Sequence, residues 1–315
     1  MSDAAGTPEI TLPSVELNIY KAKTAVEVPI VESYVATEEK SPNFIRHITF
    51  DVTGTELEGK VIAGQSIGVV PPGERANGKP HQVRLYSVSS PSKGEGGNPN
   101  LVSTTVKRVI DEHWEEQELY LGVCSNFICN QKVGSTVMMT GPSGKNFLLP
   151  EHPEKFNYVF FATGTGIAPF RGMIIDLLEA GAQSEIALIF GCPYRTDVLY
   201  KGFFEELAAE HDNFHYVTSI SREGRRADGS KRYVQSELED SKELLYPILQ
   251  KDNTLIYVCG LKGMESGIYQ TLAKQGLTGY YQTKPDLEGV APADWSREDI
   301  KKFVKPSKRV FVEVY

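Results

Sequence analysis

One change of rhythm constrains this chain more than any other feature. Before Pro150, strand-like runs follow one another with no helix between them; after it, continuous apolar runs alternate with helical stretches. In the second half, "YVFFAT" (158 to 163) leads through glycines into "PFRGMIIDLLEAG", and "EIALIFG" leads into "GFFEELAAEH". "FHYVTSIS" follows, and "TLIYVCG" (254 to 260) leads into "GMESGIYQTLAKQG". A short run that is apolar throughout fits a strand buried on both faces. Strand–helix alternation of this kind implies a parallel sheet with right-handed crossovers.

The first half reads differently. "FIRHITFDV" (44 to 52), "HQVRLYSVSS" (81 to 90), "LVSTTVKRVI" (101 to 110) and "STVMMTGP" (135 to 142) are short and β-branched, with turns such as "VVPPGERANGKP" between them. Such spacing predicts an antiparallel barrel or sandwich. The expected architecture is therefore two-domain: an N-terminal antiparallel β-barrel or sandwich and a C-terminal α/β domain on a parallel sheet. The boundary falls in "LLPEHPEKF", near residues 150 to 156.

Composition narrows the function classes. A length of 315 residues suits two domains of ordinary size, and a net charge of −8 speaks against a broad nucleic-acid-binding face. The four cysteines, Cys124, Cys129, Cys192 and Cys259, form no CxxC pair and no zinc spacing, which points to free thiols in a reducing compartment. No run approaches the 18 or so apolar residues of a membrane span. The N-terminal stretch has neither a signal-peptide nor a transit-peptide pattern, so a cytosolic protein or a mature form is expected.

The strongest local signal is "TGTGIAPFRG" (163 to 172), which follows a buried strand and opens a helix. Backbone N–H groups and the helix dipole bind phosphate at such a place. Pro169 stands where the usual dinucleotide fingerprint has a third glycine, and a purely structural turn is the competing reading. In "ISREG…GSKRYVQ", Ser221 and Arg222 lie just past a strand end, where open α/β sheets bind ligands. A hydroxyl and a guanidinium there suit a ribose 2′-phosphate, with Lys231 adding charge and Tyr233 a ring for adenine. A solvated basic loop is the bland alternative. Cys259 in "YVCGLKGME" reads as a small buried hydrophobe, with no base near it in sequence. In "RLYSVSS", alternation places Arg84 and Tyr86 on one face and Leu85 and Ser87 on the other. In "GVCSNFIC", Ser125 and Asn126 are candidate helix caps. Alternation in the last residues, "VFVEVY", places Phe311, Glu313 and Tyr315 together.

These stretches, in this order and spacing, resemble the plant-type ferredoxin–NADP(+) reductases of the plastidic class. The resemblance covers about residues 25 to 315, and a bacterial member of that class would fit. It implies an N-terminal extension over residues 1–24, an FAD-binding barrel over 25–152 and an NADP-binding α/β domain over 153–315. Carried over by motif, Arg84 would pair with the FAD pyrophosphate, Tyr86 would pack on the isoalloxazine, and Ser87 would bond near its N5. Gly122, Val123, Cys124 and Ser125 would meet the FAD pyrophosphate and ring, and Lys107 would lie near the nucleotide phosphates. Thr165 would contact the NADP pyrophosphate. Ser221, Arg222, Lys231, Tyr233 and Gln235 would form the 2′-phosphate and adenine site, with Leu261 on the adenosine side. Cys259 and Glu313 would flank the place where nicotinamide meets flavin. Tyr315 would cover the other flavin face and act as a gate. Ser87, Cys259, Glu313 and Tyr315 are the residues placed at the chemistry.

The family usually has a tyrosine shortly after "VKR" that stacks on the FAD adenine. Here the segment is "VIDEHWEEQELYLG", with Trp114 or Tyr120 as substitutes. The loop "SPSKGEGGNPN" reads as Gly-rich and mobile. The resemblance implies a flavoenzyme that exchanges a hydride between NADP(H) C4 and flavin N5, and single electrons with an acidic carrier, ferredoxin or flavodoxin. It carries no metal site. A monomer in the bacterial cytoplasm, or in the plastid stroma for a mature plant form, is expected. Candidate carrier contacts are Lys21, Lys23, Lys93, Lys305, Lys308 and Arg309. The alternatives are an NAD(P)H-dependent reductase of an oxygenase or cytochrome b5 reductase-like system, and a non-catalytic flavin- or nucleotide-binding module.

Overall fold

The structure is a computed structural model and describes residues 8–113 and 117–315. Trp114 lies outside the described residues. The described chain forms two compact units: residues 13–149 with 168–176, and residues 8–12, 150–167 and 177–315.

The first unit is built on β1 (Val26–Val35), β2 (Ile45–Asp51), β3 (Ser66–Val70), β4 (Arg84–Ser87) and β5 (Leu101–Lys107). A hairpin of β6 (Ile110–His113) and β7 (Glu118–Leu121), the helix α1 (Val123–Asn130) and the strand β8 (Thr136–Ser143) complete it. The six main strands pair antiparallel in the order β4-β3-β8-β1-β2-β5. A bridge between Val88 and Thr104 brings the first strand of that order back to the last, and the Thr104 hydroxyl donates to the Ser87 carbonyl at 2.8 Å. Closure removes the free edges that an open sheet would expose. Val28, Ile48, Phe50, Ile67, Val69 and Val102 fill its interior.

The Gly-rich loop expected to be mobile is instead anchored by its one acid. Glu95 makes a two-point ion pair with Arg171, at 2.7 and 2.9 Å, and accepts from the Ser103 hydroxyl at 2.8 Å. Arg171 Nη1 also donates to the Ser89 carbonyl, just before the loop, at 3.0 Å, and Ser92 within it donates its hydroxyl to Asp176 at 2.6 Å. Burial pushes the Glu95 carboxyl up, but the hydrogen bonds and charge of Arg171 outweigh it and hold it below its ordinary value. His47, stacked on Tyr34 at 5.0 Å, lies 3.8 Å from the same carboxylate. Burial first, and then the charge of Arg171, lower the His47 pKa to about 4.

The second unit's sheet begins with β9 (Asn157–Thr163); of the helix that follows, α2 (Ala168–Glu179), residues 168–176 belong to the first unit and 177–179 to the second. The second unit continues through β10 (Ile186–Cys192), α3 (Lys201–Glu210), β11 (Phe214–Ile220), α4 (Glu237–Asp240), α5 (Lys242–Leu249), β12 (Thr254–Gly260) and α6 (Met264–Lys274). The short β13 (Tyr281–Thr283), α7 (Arg297–Phe303), β14 (Val304–Pro306) and finally β15 (Val310–Val314) close the chain. The main sheet is parallel throughout, in the order β11-β10-β9-β12-β15. Every residue of β10 and β12 is buried, which is why those segments read as unbroken apolar runs. Arg309, one of the candidate carrier contacts, is committed to this unit. Its guanidinium lies over the Tyr280 ring and donates to the carbonyls of Lys251 and Asp252.

Candidate active site

Strand order fixes where a ligand can sit on the parallel sheet. The chain moves outward from β9 to β10 and β11, then returns to place β12 on the other side of β9. The carboxyl ends of β9 and β12 therefore flank the topological switch point, the ligand position of open α/β sheets. Two glycines let these ends meet. A Cβ on Gly166 would fall on the Cys259 carbonyl, and one on Gly260, whose φ is +142°, would fall on the Thr163 hydroxyl. That hydroxyl accepts from the Leu261 N–H at 2.9 Å. A single helical turn, Gly164–Ile167, joins β9 to α2 and presents Thr165, while Pro169 lies inside the first turn of α2. Proline is tolerated there because it lies in the first turn of the helix, where its fixed φ suits the start.

The last strand carries two further predicted residues to the same edge. Glu313 pairs in register with Cys259, so both side chains share one face with Phe311 and Tyr257, whose rings stack at 4.5 Å. Val310, Val312 and Val314 pack into the core on the opposite face. Burial raises the Glu313 carboxyl to about 7. Burial first, and then the Glu313 charge, push the Cys259 thiol well above its ordinary range, so it stays protonated at neutral pH. The Tyr315 backbone is held at both ends, its N–H donating to Gly260 and its carbonyl accepting from Lys262. Its side chain is 60 % exposed, yet the hydroxyl turns inward to lie 2.7 Å from the Thr165 hydroxyl and against the Gly166 N–H. Burial of that hydroxyl raises its pKa to about 12.

The basic loop follows β11. Ser221 donates its N–H to the Cys192 carbonyl, and Arg222 donates its own to Pro193, which seats both against the end of β10. The Arg222 guanidinium is exposed, faces the Tyr194 ring at 5.4 Å and donates to the Tyr194 hydroxyl at 2.9 Å. Lys231 is exposed, the Tyr233 side chain is 44 % exposed, and Leu261 is 64 % exposed. Gln235 lies over Gly267 of α6, where any Cβ would crowd its amide. Tyr194 was not anticipated, although its place just past the end of β10 is the sequence signal that could have found it.

In the barrel unit, Arg84 on β4 is exposed, and Tyr86 two residues on is half-buried against the core. The Tyr86 hydroxyl meets the Cys124 thiol; burial first, and then that thiol, raise its pKa well beyond the ordinary range. Arg84 stands close enough to lower the pKa of the Cys124 thiol, which burial otherwise raises. Arg84, Tyr86 and the first turn of α1 are thus neighbours. Ser87 is half-buried beside them in sequence, its hydroxyl making no hydrogen bond to a described residue, and Lys107 is exposed at the end of β5. The expected caps are corrected: the N-cap is Gly122, and Ser125 and Asn126 stand inside the helix. Their side chains return to Gly122 and Val109, with the Asn126 amide donating to the Val109 carbonyl at 2.8 Å. A Cβ on Gly122 would strike Ser125 and Val109, so glycine is the residue this packing admits. No side chain caps α1, and Val123, the residue after the cap, is exposed. An uncapped helix start beside an exposed arginine fits the diphosphate of a dinucleotide cofactor. Tyr120 lies on β7 directly opposite Asp111 of β6.

Comparison with known proteins bears on the family and the fold. Residues 160–270 match the oxidoreductase NAD-binding domain family. The chain is 39 % identical over 315 residues to a ferredoxin–NADP reductase of Picosynechococcus sp., covering 98 % of this chain and 74 % of that protein. It is 36 % identical over 307 residues to the ferredoxin–NADP reductase of Spirulina sp., covering 96 % and 99 %. The chloroplastic leaf isozyme 1 of Oryza sativa subsp. indica is 39 % identical over 289 residues, covering 89 % and 74 %. The solved ferredoxin–NADP+ reductase of Plasmodium falciparum superposes with a TM-score of 0.68 at 24 % identity, covering 95 % of this chain and 99 % of that one, and shares the fold.

Proposed function

The chain belongs to the ferredoxin–NADP reductase family, and from that premise we propose that it exchanges electrons between NADP(H) and a ferredoxin as a flavoprotein oxidoreductase. The observation that carries this reading is the switch point itself, where the two glycine-fitted strand ends bring Thr165, Cys259, Glu313 and Tyr315 to one edge. Bound FAD would supply the chemistry, coupling a two-electron nicotinamide to a one-electron carrier.

Residues 25–152 hold the FAD. Arg84 and the N-terminus of α1, from Gly122 through Val123 and Cys124 to Ser125, bind its pyrophosphate; Tyr86 packs on the flavin ring and Ser87 turns its hydroxyl to the reacting edge. Lys107 adds charge near the phosphates. Residues 153–315 hold the NADP(H). Thr165 takes the pyrophosphate, Ser221, Arg222 and Lys231 the 2′-phosphate, and Tyr233, Gln235 and Leu261 the adenosine. Glu313, titrating near neutrality, can hold or release a proton where the nicotinamide reacts. Cys259 remains a thiol and shapes that place by packing. Tyr315 must give up Thr165 before the nucleotide pyrophosphate can use it. A flavodoxin can serve as the carrier in place of ferredoxin. The working unit is a monomer in a bacterial cytoplasm or plastid stroma. No helix among the described residues is long and apolar enough to cross a membrane.

The test is direct. The purified protein should carry flavin absorbance and reduce an artificial acceptor faster with NADPH than with NADH. A colourless protein would remove the FAD assignment, and a preference for NADH would remove the 2′-phosphate site.

A further inference from the structure

The loop after β11 carries five cations, Arg222, Arg225, Arg226, Lys231 and Arg232, and the structure divides them sharply. Arg226 is neutralised inside the protein: its Nε lies 3.1 Å from both oxygens of Asp240, and its Nη2 lies 2.7 Å from Glu239. Arg232 is held by the fully buried Glu237, at 2.5 and 3.0 Å. These two arginines staple the loop to α4. With the Arg226 N–H donating to the Ser230 carbonyl and the Gly229 N–H to the Arg226 carbonyl, the loop folds into a small hairpin in which Arg225 and Lys231 face each other across an antiparallel bridge.

Arg225 has no such acid. Among the described residues its guanidinium meets only two carbonyls, Gly224 at 3.3 Å and Ser221 at 3.5 Å. It is therefore folded back over Ser221, the strand-end residue that opens the proposed 2′-phosphate site. Arg225 and Lys231 thus form a directly opposed like-charge pair with no carboxylate partner among the described residues. Such pairs destabilise a free hairpin. A phosphate dianion placed between them, against Ser221 and Arg222, would turn that repulsion into two charge-assisted contacts.

We propose that Arg225 is a ligand of the 2′-phosphate and, with Lys231, a determinant of the preference for NADP(H) over NAD(H). The proposal rests on the reading of Ser221 and Arg222 as the 2′-phosphate site and adds a residue to it. Arg226 and Arg232, although adjacent in sequence, shape the loop and do not touch the nucleotide.

The experiment uses the flavin-loaded protein and calorimetric binding of adenosine 2′,5′-bisphosphate, with 5′-AMP as the probe that lacks the 2′-phosphate. Arg225→Gln should weaken bisphosphate binding about tenfold, flatten its salt dependence and leave 5′-AMP unchanged. Arg225→Lys should retain most of the affinity. If Arg222→Gln weakens the bisphosphate and Arg225→Gln does not, this proposal fails while the 2′-phosphate site stands. If neither variant changes bisphosphate binding, the site itself is misplaced. Equal losses for bisphosphate and 5′-AMP with Arg225→Gln would also overturn the assignment, since Arg225 would then not be reading the 2′-phosphate.

Discussion

At the scale of single residues, Tyr315 makes the sharpest claim. Its hydroxyl occupies Thr165 and the Gly166 N–H, the turn proposed to receive the nucleotide pyrophosphate. Tyr315→Ser removes that occupant. The variant should bind NADP+ more tightly, by roughly tenfold if one or two hydrogen bonds of about 1 kcal/mol are released, and should turn over more slowly. Titration of the flavin spectrum and steady-state kinetics check both halves; unchanged affinity and rate would make Tyr315 a surface tail. The grouping of Glu313 with Tyr315 was legible in the sequence because alternation with period two settles which side chains share a face. The contact with Thr165 was not, because it joins two strand ends 150 residues apart. The contact between Tyr194 and Arg222 escaped for the same reason: each motif reads as a local pattern, and the hydrogen bond crosses from the end of β10 to the end of β11.

At the scale of elements, the Gly-rich loop shows how composition misleads. "GEGGNP" has the makeup of a flexible linker, and nothing within it announces a partner 76 residues further on. The carboxylate of Glu95 is matched by a guanidinium that is itself only 10 % exposed. Deleting Glu95 leaves the buried Arg171 guanidinium without its two-point carboxylate partner. Glu95→Ala should therefore cost about 3–5 kcal/mol in chemical denaturation, and Glu95→Ala combined with Arg171→Met should cost less than the single change. A loss below about 1 kcal/mol in Glu95→Ala would show that the pair does not hold the loop. The strands and helices themselves were readable, since burial on one or both faces sets their periodicity. The helix cap was misread because Ser and Asn are favoured caps, yet here packing against Val109 admits only glycine at that position.

At the scale of the whole molecule, one buried and one half-buried group give stability opposite pH slopes. The folded pKa of His47 is lowered from 6.5 to about 4, so the contribution of its neutral form is complete above 6.5 and is lost as pH falls toward 4. The folded pKa of Glu313 is raised from 4.5 to about 7. Its carboxyl stays protonated in the fold while the unfolded chain ionises, so stability declines as pH rises from 4.5 through 7. At about 1.4 kcal/mol per pH unit, that slope amounts to roughly 3 kcal/mol. Glu313→Gln should melt with the parent at pH 4.5 and above it at pH 8. A melting difference that is the same at both values would show that Glu313 is not desolvated.

The Tyr315 contact has a consequence for exchange. The phenol is an intramolecular competitor, tethered to the same sheet as the turn it occupies, so its effective concentration does not fall when the enzyme is diluted. With the nucleotide pyrophosphate on that turn, as proposed, incoming nucleotide displaces the phenol at every turnover, and the phenol is in place to re-enter as product loosens. Departure of product then becomes a substitution, not an escape that leaves bare N–H groups behind, and a ligand that binds without evicting the phenol would not be cleared in this way.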